Sequence, residues 1–524
     1  MRAFGIGLLL ATAIPVAAQA RTVVVEERSI DDLQALMTAK KASSVDLVTA
    51  YLKRIAAMDR KGPTLRSIIA LNPDAMAQAR QLDAERKAGR VRGPLHGIPV
   101  LIKDNVETAD PIATTAGSLA LRDNVTRRDA PVVAALRAKG AVILGKTNLS
   151  EWANIRSSRS MSGWSAIGGL VRNPYALDRT ACGSSSGSGT AVAASFAAAA
   201  VGTETDGSVV CPASINGLVG LKPSIGLVSR THVVPISHSQ DTPGPMARSV
   251  RDVATMFSAM IAADPADATT AGVVARDYAA GLSTSALSGL KIGVIRPQMT
   301  PDLTARYDAA LAVLRAAGAV LVDVEPPKLE GLGDAEFTVL KTELKADMNA
   351  YLATTPAAVK TRTLDDVIAF NKANAATEMP YFAQETFEDA AKTKGLDDPG
   401  YKEARAKSLR LAGLEGIDAM LKTAGAQLLV EPTYGGAWLS DPVYGDQYGG
   451  PSASELPAVA GYPNLTVPMG LVDGMPVGLS FIATKNAEAT LLGAGYAYEQ
   501  RARARSAPRY LPTAAAGPGM DGVR

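Results

Sequence analysis

The chain is poor in the side chains that most hydrolases and metalloproteins depend on. It has three histidines and two cysteines among 524 residues. Cys182 and Cys211 have no C-x-x-C partner and no neighbouring histidine, which excludes the usual zinc sites. In an oxidising compartment they could pair; two buried thiols fit the spacing equally well. Charge of one sign is also lacking. Lys and Arg number 54 against 51 Asp and Glu, aromatics make up 5%, and no basic stripe is interleaved with them, so nucleic acid is excluded as a partner. Long apolar runs are missing after the N-terminus. The single early run, Gly5 to Val16, follows Arg2 and precedes Ala18-Gln19-Ala20. It is short for a bilayer span and has the layout of a secretory signal peptide. The expectation is a signal over 1–20, cleaved after Ala20, and an exported protein, periplasmic in a bacterium, with no membrane role once processed.

What is present is an ordinary globular composition, 47% hydrophobic and 20% charged, with no internal repeat or linker. One domain over 21–510 and a loose Pro/Ala/Gly-rich tail over 511–524 are expected. Ser29 with Asp32 and Ser43 with Asp46 read as capping boxes opening two amphipathic helices. A further helix is expected over 73–88. Short apolar strands are expected at Ile98–Ile102, Ala141–Leu144, 290–295, 319–324 and Gln427–Val430, alternating with helices at 130–139 and 301–317. That rhythm predicts an α/β protein with a mainly parallel sheet. "SGSGTAVAASFAAAAVG" reads as a loop feeding a buried Ala-rich helix, and 331–425 as mostly helical. A last helix is expected over 487–503, with the chain fraying after Ser506.

The densest chemistry is "CGSSSGSG", residues 182–189. Gly183-Ser184-Ser185-Ser186-Gly187 fits the G-x-S-x-G elbow with Ser185 as nucleophile. An elbow follows a strand, however, and the preceding "NPYALDRTA" reads as loop. The available bases would be His232 and His238, both in a loop. A phosphate-cradling reading fails because no Lys-Ser/Thr follows the glycines. A serine with a lysine is the remaining option, provided burial holds the lysine neutral near pH 7. Lys103 ends the apolar strand of "IPVLIKDN", so its stem enters the interior. The alternative is a strand-end lysine reaching solvent or pairing with Asp104. In "GTETDGSVV", Ser208 closes a tight turn of the kind that aims successive backbone N–H groups at one point.

In order, "GPLHGIPVLIKDN", "TTAGS", "CGSSSGSGTAVAA", "GTETDGS", "GLVGLKPSIGLVSR" and "AVAGYPNLTVPMG…GMPVGLSFI" resemble the amidase signature family from about residue 30 to 505. "LGKTNLSEWAN", "SGWSAIGG" and "ISHSQDTPGPMARS" are similar to the bacterial peptide amidases, exported enzymes that remove the C-terminal amide of peptide amides. The resemblance implies the amidase signature fold, a large mixed central β-sheet flanked by helices on both faces. It also implies a Ser-Ser-Lys triad. Lys103 would be the base, Ser184 the bridging serine after a cis peptide bond, and Ser208 the nucleophile, with the family's 24-residue interval between the serines. Backbone N–H groups of Thr205, Asp206, Gly207 and Ser208 would form the oxyanion hole, and Gly183 and Ser185 would support the relay. No metal or cofactor is implied; the partner is a small-molecule or peptide amide.

Departures from the family pattern fall at Cys182 and Ser186, which replace glycines, and at Glu204, which replaces the usual Asp. Asp206 stands where glycine is usual, and Val210 where many relatives have an arginine able to bind a substrate carboxylate. Two other readings stand beside the peptide-amide one: a broader aryl or aliphatic amidase, and a non-catalytic periplasmic binding protein. The loop 432–451 and the helical segment 331–425 are expected to shape the pocket. Transamidation of aminoacyl-tRNA is disfavoured by the expected signal and the absence of a basic surface.

Overall fold

The structure is a computed structural model, and it describes residues 23–514. The expected signal peptide lies outside the described residues. Among the described residues, thirteen strands occur in chain order: β1 (Ile68–Leu71), β2 (Pro99–Lys103), β3 (Val142–Thr147), β4 (Trp164–Ser165), β5 (Gly169–Leu170), β6 (Ala199–Glu204), β7 (Val219–Lys222), β8 (Thr242–Ala247), β9 (Lys291–Ile295), β10 (Val320–Val324), β11 (Leu428–Pro432), β12 (Asn464–Val472) and β13 (Met475–Ile482). All but β4 and β5 join one 11-stranded sheet in the order β1-β3-β2-β6-β8-β7-β12-β13-β11-β9-β10, flanked by helices. The expected mixed α/β sheet is therefore present.

The expectation of a mainly parallel sheet is corrected. Parallel pairing is confined to β3-β2-β6 and β11-β9-β10. All other neighbours run antiparallel. The parallel pairs arise where a helix spans the connection, as Pro131–Ala138 does before β3 and Pro301–Ala316 between β9 and β10. Among the antiparallel pairs, β12 and β13 are joined by a direct reversal. Asp473 and Gly474, with φ of 48° and 77°, make the reversal between β12 and β13. Strand β8 is not legible in the sequence because it contains Pro243 and Pro245. It tolerates them because β7 joins it only at Met246 and Ala247, leaving one neighbour beside the prolines.

The Ala-rich stretch needs a second correction. The helix covers only Ser186–Ala193; Ala199–Glu204 is a buried central strand between β2 and β8. Helix propensity loses to position here, because small side chains fit where both faces of the sheet are covered. The two capping boxes form as expected, Ser29 and Ser43 each accepting from the N–H three residues on. The expected loose tail is also corrected over its described part. Tyr510 N–H donates to Pro174 O, Leu511 bridges to Ala176, and Ala514 is buried.

Candidate active site

Strand β2 is buried along its length and delivers Lys103 to the interior. Its side chain is 0% exposed, and Nζ donates to Ser184 Oγ at 2.7 Å, Thr203 Oγ1 at 2.9 Å and Thr203 O at 3.1 Å. Burial pulls the Lys103 pKa down to about 7, and the negative fields of Asp241 and Glu204 oppose this only in part. Asn105 Nδ2 donates to the same Thr203 Oγ1 at 2.9 Å, which fixes the hydroxyl that the ammonium meets.

The serine loop lies across the end of this strand. The Gly183–Ser184 peptide bond is cis, as the family resemblance implies. Ser150 N–H donates to Ser184 O at 3.0 Å. A side chain at Gly183 would collide with Ser150 Oγ. The Ser185 hydroxyl is engaged with the neighbouring strand: its Oγ donates to Thr203 O at 3.0 Å and accepts from Thr203 N–H at 3.2 Å. Its backbone N–H donates to Ser208 O at 3.2 Å, tying the two serine segments together.

The Ser208 turn leaves β6 and enters the short helix Val210–Ile215. Glu204 Oε2 accepts from the N–H groups of Val209 and Val210 at 2.7 and 2.9 Å, which locks the turn just after the serine. Gly207 has φ +74°, and a Cβ there would strike Tyr434 Oη, so only glycine fits. Among the described residues no protein acceptor takes the N–H of Asp206, Gly207 or Ser208. Thr205 is held from the side: its Oγ1 donates to Asp241 Oδ1 at 2.6 Å, and Asp241 Oδ2 accepts from Ile236 and Ser237 N–H at 2.8 and 3.0 Å. Burial pushes the Asp241 carboxyl up to about 6. One Asp206 carboxylate oxygen is buried without a partner, and burial raises its pKa, with a Ser454 hydrogen bond opposing.

Ser208, Thr205, Asp206 and Gly183 line a cavity of about 250 Å³. The loop 432–451 forms much of its wall through Tyr434, Trp438 and Tyr448, as expected, and the helix Leu332–Ala353 contributes Leu340. Asp446 pins that loop, accepting from Trp438 Nε1 at 3.0 Å and Ser162 Oγ at 2.6 Å.

Sequence reasoning misses several participants. Thr203 and Asp241 lie inside the stretches "GTETDGS" and "ISHSQDTPGPMARS", but nothing in those stretches marks either for a role; the pairing of β6 with β8 brings their segments together. Trp152, Ala153 and Asn154, with φ of 51°, 54° and 76°, bring the wall residues Ala153 and Asn154 round by a left-handed excursion; "LSEWAN" contains no glycine to announce it. Cys182 and Cys211, for which the sequence allows either a pair or two thiols, form a disulfide.

The histidines are occupied elsewhere. His96 is buried against Leu82 O and Arg92 N, His232 lies 4.0 Å from Glu107, and His238 bonds Asp347. His238, Glu343 and Asp347 have the residue types of a cation site, but Glu343 already accepts from Ser237, Ser239 and Tyr401, and none of the three lines the cavity.

An amidase family model matches residues 46–492. A probable amidase of Arabidopsis thaliana is 37% identical over 506 residues, spanning 94% of this chain and 93% of that protein. Among solved structures, the native peptide amidase of Stenotrophomonas maltophilia matches with a TM-score of 0.88 at 51% identity, covering 93% of this chain and 99% of that one. A complex of the peptide amidase PAM with the competitive inhibitor chymostatin matches with a TM-score of 0.89 at 51% identity, covering 92% and 99%. With its mixed 11-stranded sheet and a family match across most of its length, this chain belongs to the amidase signature family and is an amide-hydrolysing enzyme.

Proposed function

We propose that this enzyme removes the C-terminal amide from peptide amides and amino-acid amides, releasing ammonia, through Lys103, Ser184 and Ser208. The observation that carries this reading is the 2.7 Å contact from Lys103 Nζ to Ser184 Oγ, made by a lysine whose pKa is drawn to about 7, in a loop bonded to the Ser208 turn. Half of such lysines are neutral near pH 7 and can take a proton. Lys103 takes one from Ser184 as Ser184 takes one from Ser208, and Ser208 Oγ attacks the amide carbon. The partnerless N–H groups of Asp206, Gly207 and Ser208, with that of Thr205, face the oxyanion; one such donor is worth about 3 kcal/mol. The C–N bond breaks as the proton returns through Ser184 to nitrogen, and ammonia leaves. Water then repeats the relay on the acyl-Ser208 ester and frees the acid.

The peptide-amide preference is supported by the 51% identity to peptide amidases and by Val210, which leaves no arginine to attract a substrate carboxylate. The broader reading, an aryl or aliphatic amidase, differs only in what the cavity accepts. A panel of dipeptide amides, amino-acid amides, anilides and simple aliphatic amides, read by ammonia or amine release, separates the two. Turnover confined to anilides and aliphatic amides would overturn the peptide-amide reading. We also propose that the chain is exported with cleavage after Ala20, a reading supported by the disulfide, which is stable in oxidising compartments. N-terminal sequencing of the protein from its native host tests it; an unprocessed Met1 sinks it.

A further inference from the structure

The Cys182–Cys211 disulfide closes a loop around the proposed relay. Its two ends are 29 residues apart in sequence, and Ser184, Ser185, Thr203 and Ser208 all lie between them. Cys182 sits one residue before the cis Gly183–Ser184 bond, and Cys211 three residues after Ser208. Each cysteine is bonded to the segment it anchors. Cys182 O accepts from Ser186 Oγ at 2.5 Å inside the serine loop, and Cys211 N–H donates to Gly207 O at 2.8 Å inside the Ser208 turn. The covalent link therefore joins the loop of the bridging serine to the turn of the nucleophile, in parallel with the weaker Ser185 N–H to Ser208 O bond at 3.2 Å.

The backbone at Cys182 adds a second observation. Its φ is +54°, the left-handed region that glycine occupies freely and other residues seldom do. A side chain at this position works against the local conformation, and that side chain carries the bond to Cys211. Cys182 also lines the Ser208 cavity.

We infer that the Cys182–Cys211 disulfide is a positioning element of the catalytic site: it holds Ser184 in register with Ser208, and full turnover requires it closed. The inference rests on the triad reading above. The two cysteines act through the serines and touch no reacting atom.

The test uses the full-length oxidised protein, with kcat and KM measured on a dipeptide amide and Ser208 labelling followed with a fluorophosphonate. Dithiothreitol supplies two electrons and two protons, leaving thiols on Cys182 and Cys211 and closing to its own cyclic disulfide. A double variant, Cys182→Gly with Cys211→Ser, removes the bond while placing glycine at the left-handed position. In both the reduced protein and the double variant, kcat and the labelling rate should fall tenfold or more while KM stays within twofold. Near-UV circular dichroism should remain native at the assay temperature. Reoxidation should restore the wild-type chain, and dithiothreitol should leave the variant unaffected. Two titratable thiols with kcat and labelling within twofold of the oxidised enzyme would overturn the inference. So would loss of the native spectrum in both forms, which would make the bond a fold-holding link only. Labelling by the fluorophosphonate in an oxidised protein that releases no ammonia from any amide would instead overturn the substrate reading and leave the positioning inference to be read from the labelling rates.

Discussion

Lys103 and Lys146 occupy neighbouring strands, β2 and β3, and both are 0% exposed. The register pairs Ile102 with Lys146 and Lys103 with Thr147, so the two lysines project to opposite faces of the sheet. Their surroundings differ in kind. Lys146 donates to Val106 O at 2.5 Å and Thr114 Oγ1 at 2.8 Å and has Asp104 at 3.9 Å, a carboxyl that burial pushes up to about 6. Lys103 meets only the hydroxyls of Ser184 and Thr203 and a carbonyl. Burial lowers both pKa values, but only Lys146 has a carboxylate in ion-pair range. Equal burial thus yields two functions. Lys146, with a carboxylate partner, suits a structural role, and Lys103, among hydroxyls, suits the proton-carrying role proposed for it.

Removing each group in turn breaks that comparison most directly. Ser208→Ala and Lys103→Ala should each lower kcat by about 10⁴-fold or more, because relay members act as a unit. Ammonia release measures the loss, and a native circular dichroism spectrum must accompany it. If Lys103→Ala kept a tenth of the activity, the proton-carrier reading of Lys103 would be wrong. Lys146→Ala should do the reverse. It leaves Asp104 buried without its charge partner and should cost about 3–5 kcal/mol of stability, seen in urea unfolding, while the folded fraction keeps kcat within a few-fold.

Protonation sharpens the contrast. Lys103 must be neutral to act, so kcat/KM should climb tenfold per pH unit below pH 7 and level off above it. The same shift has a stability consequence. With a folded pKa of about 7 against the ordinary lysine value of 10.5, the unfolded chain binds the extra proton between these values, so stability should rise with pH across that window. Lys103→Met removes this dependence and should stabilise the fold at pH 7 by on the order of 4 kcal/mol, visible as a higher Tm than the parent at pH 7 and a smaller difference at pH 10.

Gly207→Ala tests the other half of the site. The strained φ and the clash with Tyr434 should disturb the oxyanion turn and reduce kcat by about 10²-fold with little change in KM. The smallest effect is expected far from the lysines. His238 is half-exposed and its hydrogen bond to Asp347 raises its pKa, so its contribution is present at acid pH and lost as pH rises through the folded value. His238→Ala should therefore change urea stability by less than about 1 kcal/mol at pH 5 and by still less at pH 8.

Lys103 and Lys146 also show how far the sequence could be read. "IPVLIKDN" and "VILGKTN" both end an apolar run in lysine, and composition ranks neither above the other. Motif order singles out Lys103, Ser184 and Ser208, and the structure brings Lys103 and Ser184 into contact. Asp104, a candidate partner for its neighbour Lys103, lies instead near Lys146 across the strand. Local signals are reliable where one segment decides the outcome: the capping boxes of Ser29 and Ser43 and the edges of β2 and β9. They fail where distant segments decide, as in the Ala-rich stretch that splits into helix and strand, the proline-bearing β8 and the left-handed run at Trp152–Asn154.

The sequence by itself determined the family and the serine and lysine positions, because these reside in residue identity and spacing. Only the tertiary structure decided which of Lys103 and Lys146 lacks a carboxylate, that Thr203 and Asp241 adjoin the site, that the histidines are engaged elsewhere, and that Cys182 reaches Cys211. Each of these is a contact between segments far apart in the chain, set by strand register and by burial, and neither quantity can be read from the neighbours of any one residue.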